Sequence, residues 1–181
     1  FWRILKECKL AYGDVKVMKS ETEEAAEDEV GEIWIRGAAV TPGYWNRPDA
    51  TEEAFVEDWL KSGDIGRRDE TGRLSVEDRI KDMYISGGEN VYPAEVESVL
   101  MAHPDIREVA VIGVADDKWG EVGCAVIASI SGDPISLEAA QAQCEGHIAR
   151  FKWPRRVAHT DALPRNSTGK VQKFILRQQC T

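Results

Sequence analysis

The sequence predicts an α+β fold: a β-rich stretch over residues 1–79, then a small domain over residues 80–181 that combines a short mixed sheet with flanking helices. Three observations predict it. Gly31-Glu-Ile-Trp-Ile-Arg36 alternates apolar and polar residues at the period of a half-buried strand. Helical spacing takes over after Pro93, where Val96, Val99 and Leu100 fall on one stripe. Beyond that point the order helix, strand, strand, helix, helix lacks the regular alternation of βαβ units.

The elements follow in order. Thr41-Pro-Gly-Tyr-Trp-Asn-Arg-Pro48 is punctuated loop, and a short helix is expected after it, with Asp49 as N-cap and Glu52 in the capping-box position. Trp59-Leu60 leads into Ser62-Gly-Asp-Ile-Gly66, read as a strand that ends in a polar turn. Asp69-Glu-Thr-Gly72 is a turn, and Arg73 to Val76 a return strand. The break between the halves is expected near the polar run Asp78-Arg-Ile-Lys-Asp82. Pro93 opens a helix at the position where its missing N–H costs nothing. Val109–Val114 and Gly123–Ile130 are β-rich runs. Ser136 caps a helix carrying Leu137, Ala140, Cys144 and Ile148, and a last helix runs from about Lys170 with Val171, Phe174 and Ile175 inward. There is no internal repeat and no low-complexity stretch.

At 181 residues, with 43% hydrophobic and 30% charged, the chain has the apolar material for a core. That balance excludes intrinsic disorder, a disulfide miniprotein and a collagen-like fibre. The longest apolar runs are too short to cross a bilayer, and no stretch reads as a signal peptide. Cys8, Cys124, Cys144 and Cys180 lie far apart without CxxC spacing, which reads as reduced thiols in a cytoplasmic protein.

The net charge of −9 is unevenly spread. Six of the nine residues from Glu21 to Glu29 are acidic, a solvated loop. From Gly146 onward there are eight Lys or Arg against one acid, Asp161, so this tail carries +7 and the preceding residues −16. A basic segment on an acidic protein points to a local anionic ligand rather than nucleic acid, which needs a wider basic surface. A solvated helix face is the other reading of the same charges.

Three polar clusters carry candidate chemistry. In Ser62-Gly-Asp64, a carboxylate beside a glycine suits a vicinal diol such as ribose, and equally describes a turn-capping Asp. Asp78-Arg-Ile-Lys-Asp82, followed by Ser86-Gly-Gly-Glu-Asn90, pairs charges with glycines that allow close backbone approach or a swinging loop. The same residues describe a β-hairpin with surface ion pairs. Neither is a GxGxxG or a Walker loop. Leu163-Pro-Arg-Asn-Ser-Thr-Gly-Lys170 sets a compact cation with three donors after a Gly/Ser/Thr loop, suited to a phosphate or acyl oxygen. Lys173 and Arg177 continue a cationic helical face. His103, His147 and His159 fit surface or capping roles, with no metal spacing and no Ser-His-Asp set.

Taken in order, Gly31-Glu-Ile-Trp-Ile-Arg-Gly37, Gly43-Tyr-Trp45, Ser62-Gly-Asp64, Asp78-Arg-Ile-Lys-Asp82, Ser86-Gly-Gly-Glu-Asn-Val-Tyr-Pro-Ala-Glu-Val-Glu97 and Pro164-Arg-Asn-Ser-Thr-Gly-Lys170 resemble the late motifs of acyl- and aryl-CoA synthetases. These AMP-forming enzymes belong to the adenylate-forming superfamily, with luciferases and peptide-synthetase adenylation domains. The resemblance covers essentially the whole chain after about residue 30.

The resemblance implies a ligase in which a carboxylic acid and ATP, with Mg2+, give an acyl-adenylate and pyrophosphate, after which CoA displaces AMP to form a thioester. It implies that Asp64 holds the ribose hydroxyls, that Arg79 contacts the same nucleotide, and that Lys81 is the hinge of a rotating C-terminal lid. Lys170 reaches the α-phosphate and carboxylate oxygens; Gly87, Gly88 and Glu89 line the pantetheine channel; Trp119, Phe151 and Arg155 contact the CoA nucleotide. The phosphate-gripping loop and the acyl pocket of the family lie upstream of the motifs found here. Residues 1–79 are then expected to be the end of a large N-terminal domain, with unpaired strand edges that invite oligomers. The chain alone is expected to lack appreciable synthetase activity. Short, fatty and aromatic acids all remain open as substrates. The competing readings are an adenylation domain serving a carrier protein, and a stand-alone nucleotide- or partner-binding module.

Overall fold

The computed structural model describes residues 13–180. The chain divides into two compact units, Phe1–Lys81 and Asp82–Thr181, each built on its own sheet. The fold class is α+β. No described helix is long and apolar enough to cross a membrane.

The first unit holds β1 (Gly13–Met18), β2 (Gly31–Gly37), α1 (Pro48–Ala54), β3 (Phe55–Val56), β4 (Trp59–Arg68) and β5 (Leu74–Arg79). All its strand pairings are antiparallel; β4 pairs with β2, β3 and β5, and β1 adds to β2. Val17, Ile33 and Ile65 are buried, and so is Trp34, on the opposite side of β2 from Ile33. Strict alternation misses that second buried position. The indole N–H of Trp34 donates to Glu32 at 2.8 Å, and the Lys16 ammonium stands 5.0 Å from its ring centroid.

Two local expectations are corrected here. Helix α1 has Pro48 in its first turn and Arg47 at the N-cap position without a side-chain cap. Asp49 is therefore inside the helix, where its carboxylate pairs with Arg47 at 3.0 Å. Thr51 does the stitching instead: its hydroxyl donates to the Arg47 carbonyl and accepts from the Tyr44 amide. The second correction is that β4 does not end after Gly66. It runs on to Arg68, because Arg67 and Arg68 pair with Ser75 and Leu74 of β5.

The second unit comprises β6 (Tyr84–Ser86), β7 (Glu89–Val91), α2 (Pro93–Leu100), β8 (Ile106–Asp116), β9 (Gly120–Ser129), α3 (Leu137–Cys144), β10 (Arg156–His159) and α4 (Lys173–Gln179). Its sheet is mixed: β10 joins β9 in parallel, whereas β6–β7, β6–β9 and β8–β9 are antiparallel. The long β8–β9 hairpin is apolar on both faces because both are covered. Val111, Ala125 and Ile127 pack with Val96, Leu100, Ala140 and Cys144 of α2 and α3. Their neighbours Ala110, Ile112, Cys124 and Val126 face the other way, against Leu163 and Leu176. Burying each of the larger side chains removes enough apolar surface to contribute about 1.5–3 kcal/mol.

Helix α2 starts at Pro93 as the sequence indicates, and Ser136 caps α3 by accepting from the Ala139 amide at 3.2 Å. That helix stops at Cys144, since Glu145 is extended and Gly146 sits at φ +77°, a C-terminal glycine signal. His147 and Ile148 consequently lie beyond the helix. The last helix begins at Lys173 rather than Lys170, because Val171 bridges to Arg165 as a strand-like pair. The delay shifts the phase of the helix. Leu176 becomes its buried residue, and Phe174, expected inward, is 56% exposed.

Candidate functional site

Ser62, Gly63 and Asp64 oppose the single residue Ile33 across the β2–β4 pairing, which resumes at Lys61 on one side and Ile65 on the other. Gly63 adopts φ +71° within this bulge. The bulge satisfies its own polar groups: the Ser62 hydroxyl donates to the Ile33 carbonyl at 2.6 Å and accepts from the Asp64 amide, and the Gly63 amide donates to Glu32 at 3.0 Å. Asp64 therefore lies mid-strand, not at a strand end. Its cross-strand partner on β5 is Arg79, whose Nε stands 2.9 Å from the Asp64 carboxylate. The two residues assigned to a nucleotide from separate motifs are thus one ion pair. Glu32 holds both Gly63 and the Trp34 indole, a role that no local pattern announces; a glycine inside a strand pattern is the sequence signal for the bulge.

Lys81 lies in the 3-10 turn Ile80–Asp82, and the division between the two units falls directly after it. Three residues later β6 begins.

In the second unit, Gly87 and Gly88 form the two-residue turn between β6 and β7, at φ +61° and +90°. Gly87 has a further constraint. Its amide donates to the Trp119 carbonyl at 2.9 Å, and a Cβ there would lie 2.8 Å from the Trp119 ring. Trp119 is set by Asp116, whose carboxylate accepts from the amides of Lys118 and Trp119 at 3.0 Å each. The Arg155 guanidinium stacks over the same indole at 4.7 Å from its centroid. The fold thus brings Gly87, Trp119 and Arg155 together, with Glu89 on the adjoining strand. Phe151 stands exposed on the 3-10 turn Arg150–Lys152, with the Lys152 ammonium 5.7 Å over its ring.

Lys170 occupies an exposed loop whose backbone is tied down. Asn166 accepts through its side chain from the Thr168 and Lys170 amides, and its own amide donates to the Lys170 carbonyl at 2.9 Å. Gly169 takes φ +83°, and its carbonyl accepts from Arg165. The Lys170 side chain is exposed and has no ion-pair partner among the described residues. The rest of the tail is less free than its sequence suggests. Lys152 pairs with Glu95 at 2.6 Å, Arg165 with Glu108 at 2.9 Å, Lys173 with Glu97 at 2.7 Å and Arg177 with Asp82 at 3.4 Å. The Arg165 guanidinium holds the Glu108 carboxyl below its ordinary range. The α4 cations Lys173 and Arg177 are neutralised in place by Glu97 and Asp82, which stand far from them in sequence.

Cys124, Cys144 and Cys180 are free thiols, and Cys8 lies outside the described residues. Burial pushes Cys124 up to about 12 and Cys144 up to about 11. Iodoacetamide at pH 8 is therefore expected to alkylate half-buried Cys180 and to spare Cys124 and Cys144 until the chain is unfolded in urea. Peptide masses check this, and native labelling of Cys124 contradicts it.

Residues 95–170 match the family model of the AMP-binding enzyme C-terminal domain. The long-chain-fatty-acid–CoA ligase FadD13 of Mycobacterium tuberculosis is 47% identical over 149 residues, 82% of this chain and 29% of that enzyme. The 2-succinylbenzoate–CoA ligase of Bacillus pumilus is 46% identical over 151 residues, 83% of this chain and 31% of that enzyme. Among solved structures, ATP-bound MatB from Rhodopseudomonas palustris superposes with a TM-score of 0.86 at 38% identity, covering 93% of this chain and 34% of that one. This chain thus spans about 30% of the length of the curated relatives it matches.

Proposed function

We propose that the chain, whose residues 95–170 match the AMP-binding enzyme C-terminal domain, works as the C-terminal part of an ATP-dependent carboxylic acid–CoA ligase. The observation that carries the reading is Lys170: an ammonium without an ion-pair partner among the described residues, on an exposed, internally braced loop, in a tail where Lys152, Arg165, Lys173 and Arg177 are each paired with an acid.

In the first half-reaction the substrate carboxylate attacks the α-phosphorus of ATP and pyrophosphate leaves. Negative charge builds on the phosphoryl oxygens, and the Lys170 ammonium stabilises it. In the second, the CoA thiol attacks the acyl carbonyl and AMP leaves. The same ammonium has no use there, so Lys81 serves as the hinge that exchanges one face of the lid for another. Asp64 receives the ribose hydroxyls, with Arg79 beside it as its ion-pair partner. The side-chain-free turn Gly87-Gly88, with Glu89, gives a wall along which the pantetheine arm passes. Trp119, Arg155 and Phe151 supply aromatic and cationic contacts for the nucleotide end of CoA.

Mg2+ accompanies ATP in this reading. The described residues hold no cluster of His, Cys, Asp or Glu arranged for a metal. The acid is proposed to be fatty or aromatic, by likeness to the named relatives. A cytoplasmic setting accords with the unbridged thiols, and self-association through open sheet edges belongs to the same proposal.

Calorimetry on this chain with CoA, AMP and an apo-carrier protein tests the reading. CoA is expected to bind and Arg155→Ala to abolish that binding. Binding of the carrier protein alone would replace the CoA-ligase reading with that of an adenylation domain.

A further inference from the structure

The loop that carries Lys170 is fastened at both feet. Its amino-terminal foot is Arg165, paired with Glu108 of β8, and the Glu108 carboxylate also accepts from the Leu163 amide at 3.4 Å. Its carboxy-terminal foot is Lys173, the first residue of α4. Between them the Gln172 amide donates to the Pro164 carbonyl at 2.8 Å, and Arg165 bridges Val171, so the feet are also tied to one another.

The two clamps differ in kind. The Arg165 and Glu108 side chains are 44% and 29% exposed, and a solvated pair of that sort contributes little by itself. Lys173 and Glu97 are 14% and 22% exposed, at 2.7 Å. The same Glu97 oxygen accepts from the amide of fully buried Val111 of β8 at 2.8 Å. One carboxylate oxygen therefore holds a sheet amide and the ammonium at the start of α4 together. Glu97 is in turn fixed by α2, between buried Val96 and Leu100. Lys173 is three residues from Lys170, and in a loop already closed on Asn166 little slack remains between them.

We propose that Glu97 is a positioning residue that braces the Lys170 loop through Lys173, registering the loop against β8. It touches no substrate. Its importance for catalysis rests on the reading of Lys170 given above, whereas the bracing itself does not.

Amide hydrogen exchange on the 181-residue chain tests the brace directly. Lys173→Met and Glu97→Gln are expected to speed exchange at Asn166, Gly169 and Lys170 by tenfold or more and to leave the β8–β9 core amides unchanged. Glu97→Gln keeps an acceptor for Val111, so the loss reports the ion pair and not the sheet contact. Lys173→Arg is expected to restore slow exchange. Loop exchange that stays at the wild-type rate in both Lys173→Met and Glu97→Gln overturns the proposal. In the ligase carrying this chain, Lys173→Met is expected to lower adenylate formation by tenfold or more and thioester formation from supplied adenylate by no more than twofold. Equal losses in the two steps overturn the positioning role. Adenylation that survives Lys170→Met would instead overturn the reading of Lys170, with the exchange result still standing for the brace.

Discussion

Lys170→Ala is expected to lower acyl-adenylate formation by a hundredfold or more and to leave thioester formation from supplied adenylate nearly unchanged. Attack on the α-phosphorus concentrates charge on oxygens that water no longer fully solvates, and one oriented donor at such a centre is worth about 3 kcal/mol. Lys170 is suited to this because nothing inside its own unit competes for the ammonium among the described residues. For the same reason its loss should leave the fold intact, since an exposed side chain without partners contributes little to stability. Lys173 is the useful contrast, because removing it breaks a half-buried ion pair. ATP–pyrophosphate exchange reports the first step, and release of AMP from supplied adenylate reports the second. If both fall equally, Lys170 acts in binding common to the two steps and the proposed division of labour is wrong.

The parts of the fold legible in the sequence are those governed by local rules. Pro93 opened a helix, Ser136 capped one, and the apolar hairpin strands announced themselves, because each depends on residues within a few positions. What the sequence hid depends on partners far along the chain. The basic tail read as an anion-binding face, yet Lys152, Arg165, Lys173 and Arg177 pair with acids dozens of residues earlier. Asp64 and Arg79 were named for separate motifs and turn out to be cross-strand neighbours. Phe174 and Leu176 both look apolar, and only the late start of α4, forced by the Arg165–Val171 bridge, decides which one faces inward. Site residues were legible as chemical types; their mutual neutralisation was not.

Tyr84 carries the second large expectation, because it sits where the second unit takes hold of the chain after Lys81. Its ring lies across Gly113 and Gly123, which face each other in the β8–β9 register. A Cβ on Gly113 would stand 2.4 Å from the Tyr84 Cβ, and one on Gly123 would stand 2.3 Å from the phenolic oxygen. The tyrosine is 2% exposed and its hydroxyl has no hydrogen-bond partner among the described residues; burial raises the phenol above its ordinary range. Gly113→Ala is therefore expected to destabilise the unit by about 3 kcal/mol, since the obstructing atom is fixed to the β6 backbone and cannot rotate away. Tyr84→Phe is expected to stabilise by about 1 kcal/mol, because it removes a buried polar group that nothing satisfies. The two glycines should then respond differently to that change. Tyr84→Phe deletes the atom that Gly123→Ala would strike and leaves untouched the one that Gly113→Ala would strike. In urea denaturation, the double variant at 84 and 123 should recover much of the loss seen for Gly123→Ala, whereas the double variant at 84 and 113 should show simple additivity. Coupling at both glycines, or at neither, would mean that the ring does not rest in this trough.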